Sequence, residues 1–134
     1  MAPPKRKTVL LVEDDPAIRR LVHKHLTSLD VDILEVADAR SALSRLSEVA
    51  PDLVCMDIVL PESNGYALCE HIRKTPRLQK VPILIISARN SIVDRAYAEE
   101  VGLTHYLSKP FTRAELLRLA GGLLNPEPQA SHET

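Results

Sequence analysis

The stretch Leu53-Val54-Cys55-Met56-Asp57, continued by Ile58-Val59-Leu60-Pro61 and a glycine at Gly65, decides the architecture. Its apolar residues do not alternate with polar ones, which marks a strand covered on both faces, as in the parallel sheets of α/β domains. The run then ends on a carboxylate and turns sharply. Such a strand presents one reactive oxygen at the rim of a sheet, so Asp57 is expected to be a nucleophile.

Upstream, Thr8-Val9-Leu10-Leu11-Val12 is a run of the same kind and stops at Glu13-Asp14-Asp15-Pro16. Asp15 suits a helix N-cap, and Pro16 suits the first turn, where a missing N–H costs nothing. Ile18, Leu21, Val22, Leu26 and Leu29 follow at helical spacing. Residues 31–36 repeat the strand pattern. Asp38 is a second cap, and Ala42, Leu43, Leu46 and Val49 form the expected buried stripe of a second helix, broken at Pro51-Asp52.

Downstream of Gly65, the residues Leu68, Cys69 and Ile72 mark a third helix that ends around residues 73–76, and residues 81–86 form a fourth strand closing on Ser87-Ala88. A fourth helix is expected over residues 92–100 on the thin apolar face of Ile92, Val93 and Ala96, ended by Gly102. Residues 104–107 make a short fifth strand. Thr112-Arg113-Ala114-Glu115 is a capping box opening a last helix through Leu116, Leu117, Ala120, Leu123 and Leu124. Five strands alternating with five helices predict a doubly wound α/β fold, a parallel sheet covered on both faces and joined by right-handed crossovers. The expected layout is a flexible lead-in at 1–7, a domain at 8–124 and a flexible tail at 125–134.

Composition narrows the function classes. The chain has 134 residues, 45% hydrophobic and 26% charged, with a formal net charge of −1. That is enough for one core, and it supplies no global field for nucleic acid or an anionic membrane. The short basic run at Lys5-Arg6-Lys7 reads as a solvated tail. No apolar run approaches the ~20 residues of a membrane span, and no signal peptide is visible, so a cytoplasmic location is expected. Cys55 and Cys69 sit in apolar patterns and are expected as buried free thiols rather than a disulfide. His23 and His25 are two apart on a helix and diverge, so they make no chelating pair.

The decisive step is what the chain places at the carboxyl ends of its strands, where ligands of open α/β sheets bind. Glu13 and Asp14 follow the first strand, Asp57 ends the third, Ser87 follows the fourth and Lys109 follows the fifth. These rims lie side by side if the strand order is 2-1-3-4-5, the flavodoxin-like arrangement. Taken singly, each residue has an ordinary structural explanation as a cap, a turn hydroxyl or a surface charge. Jointly, three acids, a hydroxyl and a cation at one sheet edge do not. Two unit charges ~4 Å apart cost on the order of 4 kcal/mol at an effective dielectric of 20, so the acids call for a cation. Oxygen ligands with open positions suit Mg²⁺, expected on Asp14 and Asp57, on Glu13 through water, and on the backbone carbonyl of Val59.

These residues resemble the receiver domain of bacterial two-component response regulators, including single-domain regulators of the chemotaxis type. The motifs are Val12-Glu13-Asp14-Asp15, Asp57-x-x-Leu60-Pro61-x-x-x-Gly65, Ile86-Ser87-Ala88 and Tyr106-Leu107-Ser108-Lys109-Pro110-Phe111, spanning nearly the whole chain in order. The resemblance implies that Asp57 takes a phosphoryl group from a phosphohistidine on a sensor histidine kinase or a histidine phosphotransfer protein. It implies that Lys109 helps neutralise the transferring group and that Ser87 hydrogen-bonds it. Tyr106 would turn inward as Ser87 moves, and the face of the fourth helix, fifth strand and last helix would report the change to a downstream protein target. It also implies that Val59 and Arg89 flank the route of the hydrolytic water. An apolar Val59 offers that water no hydrogen bond, so a long-lived phosphorylated state is expected. Direct binding to nucleic acid or membrane is not.

Departures from the common pattern are Leu60 where Met is frequent, Glu13 for a frequent Asp, and Thr104-His105 for a frequently acidic pair; none removes a required group. The protein is read as a signalling protein that assists its own phosphorylation and slow dephosphorylation. It is either a stand-alone phosphoacceptor or the N-terminal module of a longer regulator with a DNA-binding or enzymatic output domain. The short tail after Leu124 favours the former only if Thr134 is the natural end. An aspartyl phosphatase would want an acid where Val59 stands, and Glu13-Asp14-Asp15 would repel the phosphate of a flavin nucleotide.

Overall fold

The computed structural model describes residues 6–61, 63–88, 96, 99–100 and 105–126. Strands β1 (Thr8–Val12), β2 (Asp32–Val36), β3 (Leu53–Met56), β4 (Ile83–Ser87) and β5 (His105–Ser108) form one sheet. Its order is 2-1-3-4-5, and every neighbouring pair is parallel. Helices α1 (Pro16–Leu26), α2 (Ala39–Leu46), α3 (Gly65–Lys74) and a helix at Arg113–Leu124 accompany it. Asp15 caps α1 by accepting from the N–H groups of Ala17 and Ile18, Asp38 caps α2, and Thr112 with Glu115 forms the expected capping box.

Alternate residues of the strands feed two cores, the signature of a sheet buried on both sides. Leu10, Val12, Val54, Met56, Ile83 and Ile85 face α2 and α3 through Ala42, Leu46, Leu68, Cys69 and Ile72. Val9, Leu11, Leu53, Cys55, Leu84 and Ile86 face α1 and the Arg113–Leu124 helix through Val22, Leu26, Leu116, Ala120 and Leu124. Both cysteines are buried and free. Burial alone pushes the Cys55 thiol up to about 12, and it dominates the same rise, to about 12, at Cys69.

Several boundaries differ from the sequence-based expectation. α1 stops at Leu26 and tightens into a 3₁₀ turn at Thr27–Leu29, closed by Asp30 in the left-handed region at φ 56°. β4 starts at Ile83 rather than two residues earlier, because Pro82 has no N–H for the ladder, although its carbonyl accepts from Val54 N–H at 3.0 Å. β5 runs from His105 to Ser108, one residue beyond the expected end. Leu43, assigned to the buried stripe of the second helix, is exposed, as is Leu21 in α1. A short antiparallel ribbon pairs Val59–Leu60 with Ser63–Asn64 immediately after β3. Of the expected helix over residues 92–100, Ala96, Glu99 and Glu100 are helical and the remainder lies outside the described residues. Among the described residues, no helix is long and apolar enough to cross a membrane.

Candidate functional site

The order 2-1-3-4-5 brings the carboxyl end of β1 between those of β2 and β3, and the ladder continues one step past both strands that carry acids. Glu13 N–H donates to the Val36 carbonyl and Asp57 N–H to the Val12 carbonyl, each at 3.1 Å. Both side chains therefore leave the sheet at one rim while their backbones are fixed. Glu13 is 3% exposed and Asp57 7%, whereas Asp14 faces solvent. One oxygen from each of the three carboxylates falls within 4.8 Å of the others.

Lys109 enters this cluster from the loop after β5. Its Nζ donates to Asp57 Oδ2 at 2.8 Å and to Glu13 Oε1 at 2.9 Å. Its own N–H donates to the Ser87 carbonyl at 3.0 Å, extending the β4–β5 ladder by one bond. The other Asp57 oxygen, Oδ1, accepts from Val59 N–H at 3.0 Å, and Glu13 Oε2 accepts from Asp15 N–H at 3.1 Å. The Lys109–Pro110 peptide is cis.

The electrostatics follow from burial against pairing. Burial raises the Glu13 carboxyl above its ordinary range, and the Lys109 ammonium and Asp15 N–H offset this only partly. Burial pulls Lys109 down, but its hydrogen bonds to Asp57 and Glu13 outweigh it and the net shift is upward. The two shifts share a direction because the ammonium has two acids to itself while Glu13 has half an ammonium. Three carboxylates against one ammonium leave a formal charge of −2 in a partly dry corner. That charge and an all-oxygen donor set fit a hard divalent cation.

Gly65 is where the loop after Asp57 must come back close. A Cβ at Gly65 would lie 2.7 Å from the Ile58 Cα, 2.8 Å from its oxygen and 2.9 Å from the Asp57 oxygen, all backbone atoms. With no side chain there, Gly65 N–H donates to the Ile58 carbonyl at 2.7 Å.

Residues 9–120 match the model of the response regulator receiver domain. The chain belongs to the response regulator receiver family. CheY4, a chemotaxis response regulator of Vibrio cholerae, aligns with a TM-score of 0.82 at 26% identity, over 89% of this chain and 99% of that one. The receiver domain of the sensor histidine kinase PA1611 of Pseudomonas aeruginosa, described with a magnesium ion coordinated in its active site cleft, aligns with a TM-score of 0.76 at 33% identity. That alignment covers 87% of this chain and 99% of that one. Protein PilG of Pseudomonas aeruginosa is 29% identical over 109 residues, 81% of each chain. The probable transcriptional regulator ycf27 of Porphyridium aerugineum is 32% identical over 112 residues, 84% of this receiver but 45% of that protein. The chain spans less than half the length of this and two further transcriptional regulators that it matches.

Of the residues singled out in the sequence, Glu13, Asp14, Asp57 and Lys109 meet at one point of this receiver, and Ser87 lies buried at the adjoining strand end. Tyr106 pairs in register with Ile85, two residues before Ser87, and packs half-buried against the core on the α2–α3 side. Val59 is 54% exposed beside the acid it follows. Arg89 lies outside the described residues. Sequence pattern missed the direct contact of Lys109 with Glu13. It also missed Arg19, whose Nη1 donates to the Glu13 carbonyl at 2.6 Å; an arginine early in a helix carries no mark of a backbone acceptor.

Proposed function

We propose that this receiver accepts a phosphoryl group on Asp57 from a phosphohistidine of a sensor histidine kinase or histidine phosphotransfer protein. The observation that carries the reading is the Asp57 carboxylate, nearly buried, with an ammonium 2.8 Å from one oxygen and two further acids within reach of a shared cation. A carboxylate oxygen of Asp57 forms a bond to phosphorus as the phosphorus–nitrogen bond of the donor breaks. The imidazole nitrogen leaves with the bonding electron pair, and an acyl phosphate remains. Asp14, Asp57, the Val59 carbonyl and, through water, Glu13 would hold Mg²⁺, which would supply positive charge to the transferring oxygens.

The chain's own residues do the rest. Val59 N–H holds the carboxylate in a fixed orientation, so little reorganisation is needed at the moment of transfer. Lys109 is already charged and placed to follow a new phosphoryl oxygen. That movement would take its ammonium from Glu13 and pull on the bond that its N–H makes to Ser87. Ser87, buried at the end of β4, donates its hydroxyl to the phosphoryl group. Tyr106, on the next strand, turns inward behind it, and the surface of β5 and its flanking helices presents the altered face to a downstream protein. Neither nucleic acid nor membrane is required by this surface, and the site belongs to the cytoplasmic side of a signalling pathway.

Coverage of 81% of Protein PilG supports a stand-alone regulator. Coverage of 45% of the Porphyridium regulator supports a second reading, the receiver module of a longer protein with a separate output domain. Incubation with Mg²⁺ and acetyl phosphate, followed by intact mass, tests the common core of both. The expected result is one phosphate adduct on the wild type and none on Asp57→Asn. Equal adducts on both proteins, or none on a folded wild type, would overturn it.

A further inference from the structure

Glu13 is held at every polar group it has. Its N–H donates to the Val36 carbonyl at 3.1 Å, and its carboxylate oxygens accept from Lys109 at 2.9 Å and from Asp15 N–H at 3.1 Å. The remaining group, its carbonyl, is held by a side chain: Nη1 of Arg19 donates to it at 2.6 Å. Arg19 sits in the first turns of α1, where its own N–H makes the helical bond to the Asp15 carbonyl at 2.9 Å, so its guanidinium reaches back over the acidic loop. The guanidinium is anchored in turn. Its Nε meets Glu35 Oε1, on the edge strand β2, at 3.2 Å, and the second Glu35 oxygen is hydrogen-bonded to Nδ1 of His23.

The geometry has a consequence for Asp14. Because the peptide unit is planar, fixing the Glu13 carbonyl fixes the Asp14 N–H and the direction in which the Asp14 Cα leaves that plane. The peptide that Arg19 holds is the one joining the buried acid to the exposed acid. A guanidinium is suited to this, since its rigid fork serves a carbonyl on one arm and a carboxylate on the other; a lysine offers a single point.

We propose that Arg19 is a positioning residue for the divalent cation site of Glu13, Asp14 and Asp57, acting through the Glu13 carbonyl and anchored by Glu35. The inference rests on the metal-binding part of the function proposed above. It makes a prediction of unusual sign. By charge alone, a guanidinium next to an acidic cluster repels Mg²⁺, and removing it tightens binding. By positioning, removing it frees the Glu13–Asp14 peptide, and binding weakens.

Titration calorimetry of Mg²⁺ into the full chain separates the two. Arg19→Ala is expected to raise the dissociation constant by about tenfold, the scale typical of groups that orient metal ligands. Arg19→Lys keeps the charge without the fork and should remain weak. Glu35→Gln should weaken binding in the wild-type background and add little in Arg19→Ala. In metal-free protein, the Asp14 and Asp15 amide resonances should move in Arg19→Ala. Unchanged or tighter Mg²⁺ binding by a wild-type-binding protein's Arg19→Ala variant overturns the inference, as does full rescue by Arg19→Lys or unmoved amide resonances. If Arg19→Ala does not fold, Arg19→Lys and Glu35→Gln decide, and wild-type affinity in either overturns it. A folded wild type that binds no Mg²⁺ brings down the metal reading itself, and this inference with it.

Discussion

The ammonium of Lys109 lies 2.8 Å from Oδ2 of Asp57, a contact that closes 52 residues of chain and joins the end of β5 to the end of β3. The same nitrogen serves Glu13, so one cation separates two buried acids. Lys109→Met keeps the stem and removes the charge. Breaking a fully buried pair costs several kcal/mol, but Lys109 is only partly buried, so we expect a loss of about 2 kcal/mol in metal-free buffer. A divalent cation at the proposed site would supply charge to the same acids and would bind only the folded state, so saturating Mg²⁺ should narrow the gap. Thermal unfolding of both proteins with Mg²⁺ and with chelator measures this; an equal gap in the two buffers would count against a shared electrostatic role.

Gly65 tests the loop that follows Asp57. An added methyl would meet backbone of Asp57 and Ile58 at 2.7 to 2.9 Å, and neither can rotate away as a side chain could. Gly65→Ala should therefore cost about 2 to 3 kcal/mol, more than the fraction of a kcal/mol that glycine-to-alanine ordinarily gains inside a helix. Urea unfolding gives the number. A neutral or stabilising result would mean that the loop relaxes freely, and with it the fixed orientation of Asp57.

Much of this was legible in the sequence, for reasons particular elements make plain. Continuous apolar runs such as Leu53–Met56 are long enough to show two-sided burial, and the caps at Asp15, Asp38 and Thr112 mark helix starts by local chemistry alone. The acids and Lys109 were found because strand ends of one sheet must share a rim. Leu43 is exposed against expectation because apolar spacing gives the width of a stripe but not which margin of it meets the sheet. The ribbon Val59–Leu60 with Ser63–Asn64 has two residues per strand, too few for any periodicity to register. Arg19 was invisible because its partner is a carbonyl, which every residue has.

Val59 gives a kinetic prediction. It is 54% exposed, so its side chain contributes little to the core and can be exchanged at a cost within about 0.5 kcal/mol. An apolar group beside the proposed acyl phosphate could not orient an attacking water. The phosphorylated wild type should therefore persist for minutes to hours without a phosphatase, and Val59→Asn should shorten its lifetime several-fold while leaving the initial adduct unchanged. Decay of the adduct by intact mass after removal of the phosphodonor reads both. Hydrolysis within seconds, or identical decay in the two proteins, would be incompatible with this role.

The buried thiols give a stability prediction with a definite sign. Both Cys55 and Cys69 are pushed up to about 12 by burial, whereas an unfolded thiol titrates near ~8.5. The folded state therefore keeps its thiol protons where the unfolded state releases them. This contribution is fully present below about pH 8.5 and is lost as pH rises toward 12, at up to ~1.4 kcal/mol per pH unit for each thiol. Urea midpoints between pH 8 and 10 should fall more steeply for the wild type than for Cys55→Ala/Cys69→Ala, which removes both groups. A thiol reagent at pH 8 should find neither cysteine in the native protein and both in urea. Parallel slopes, or rapid native labelling, would show that these thiols are not sealed in the two cores that hold the sheet beneath Asp57.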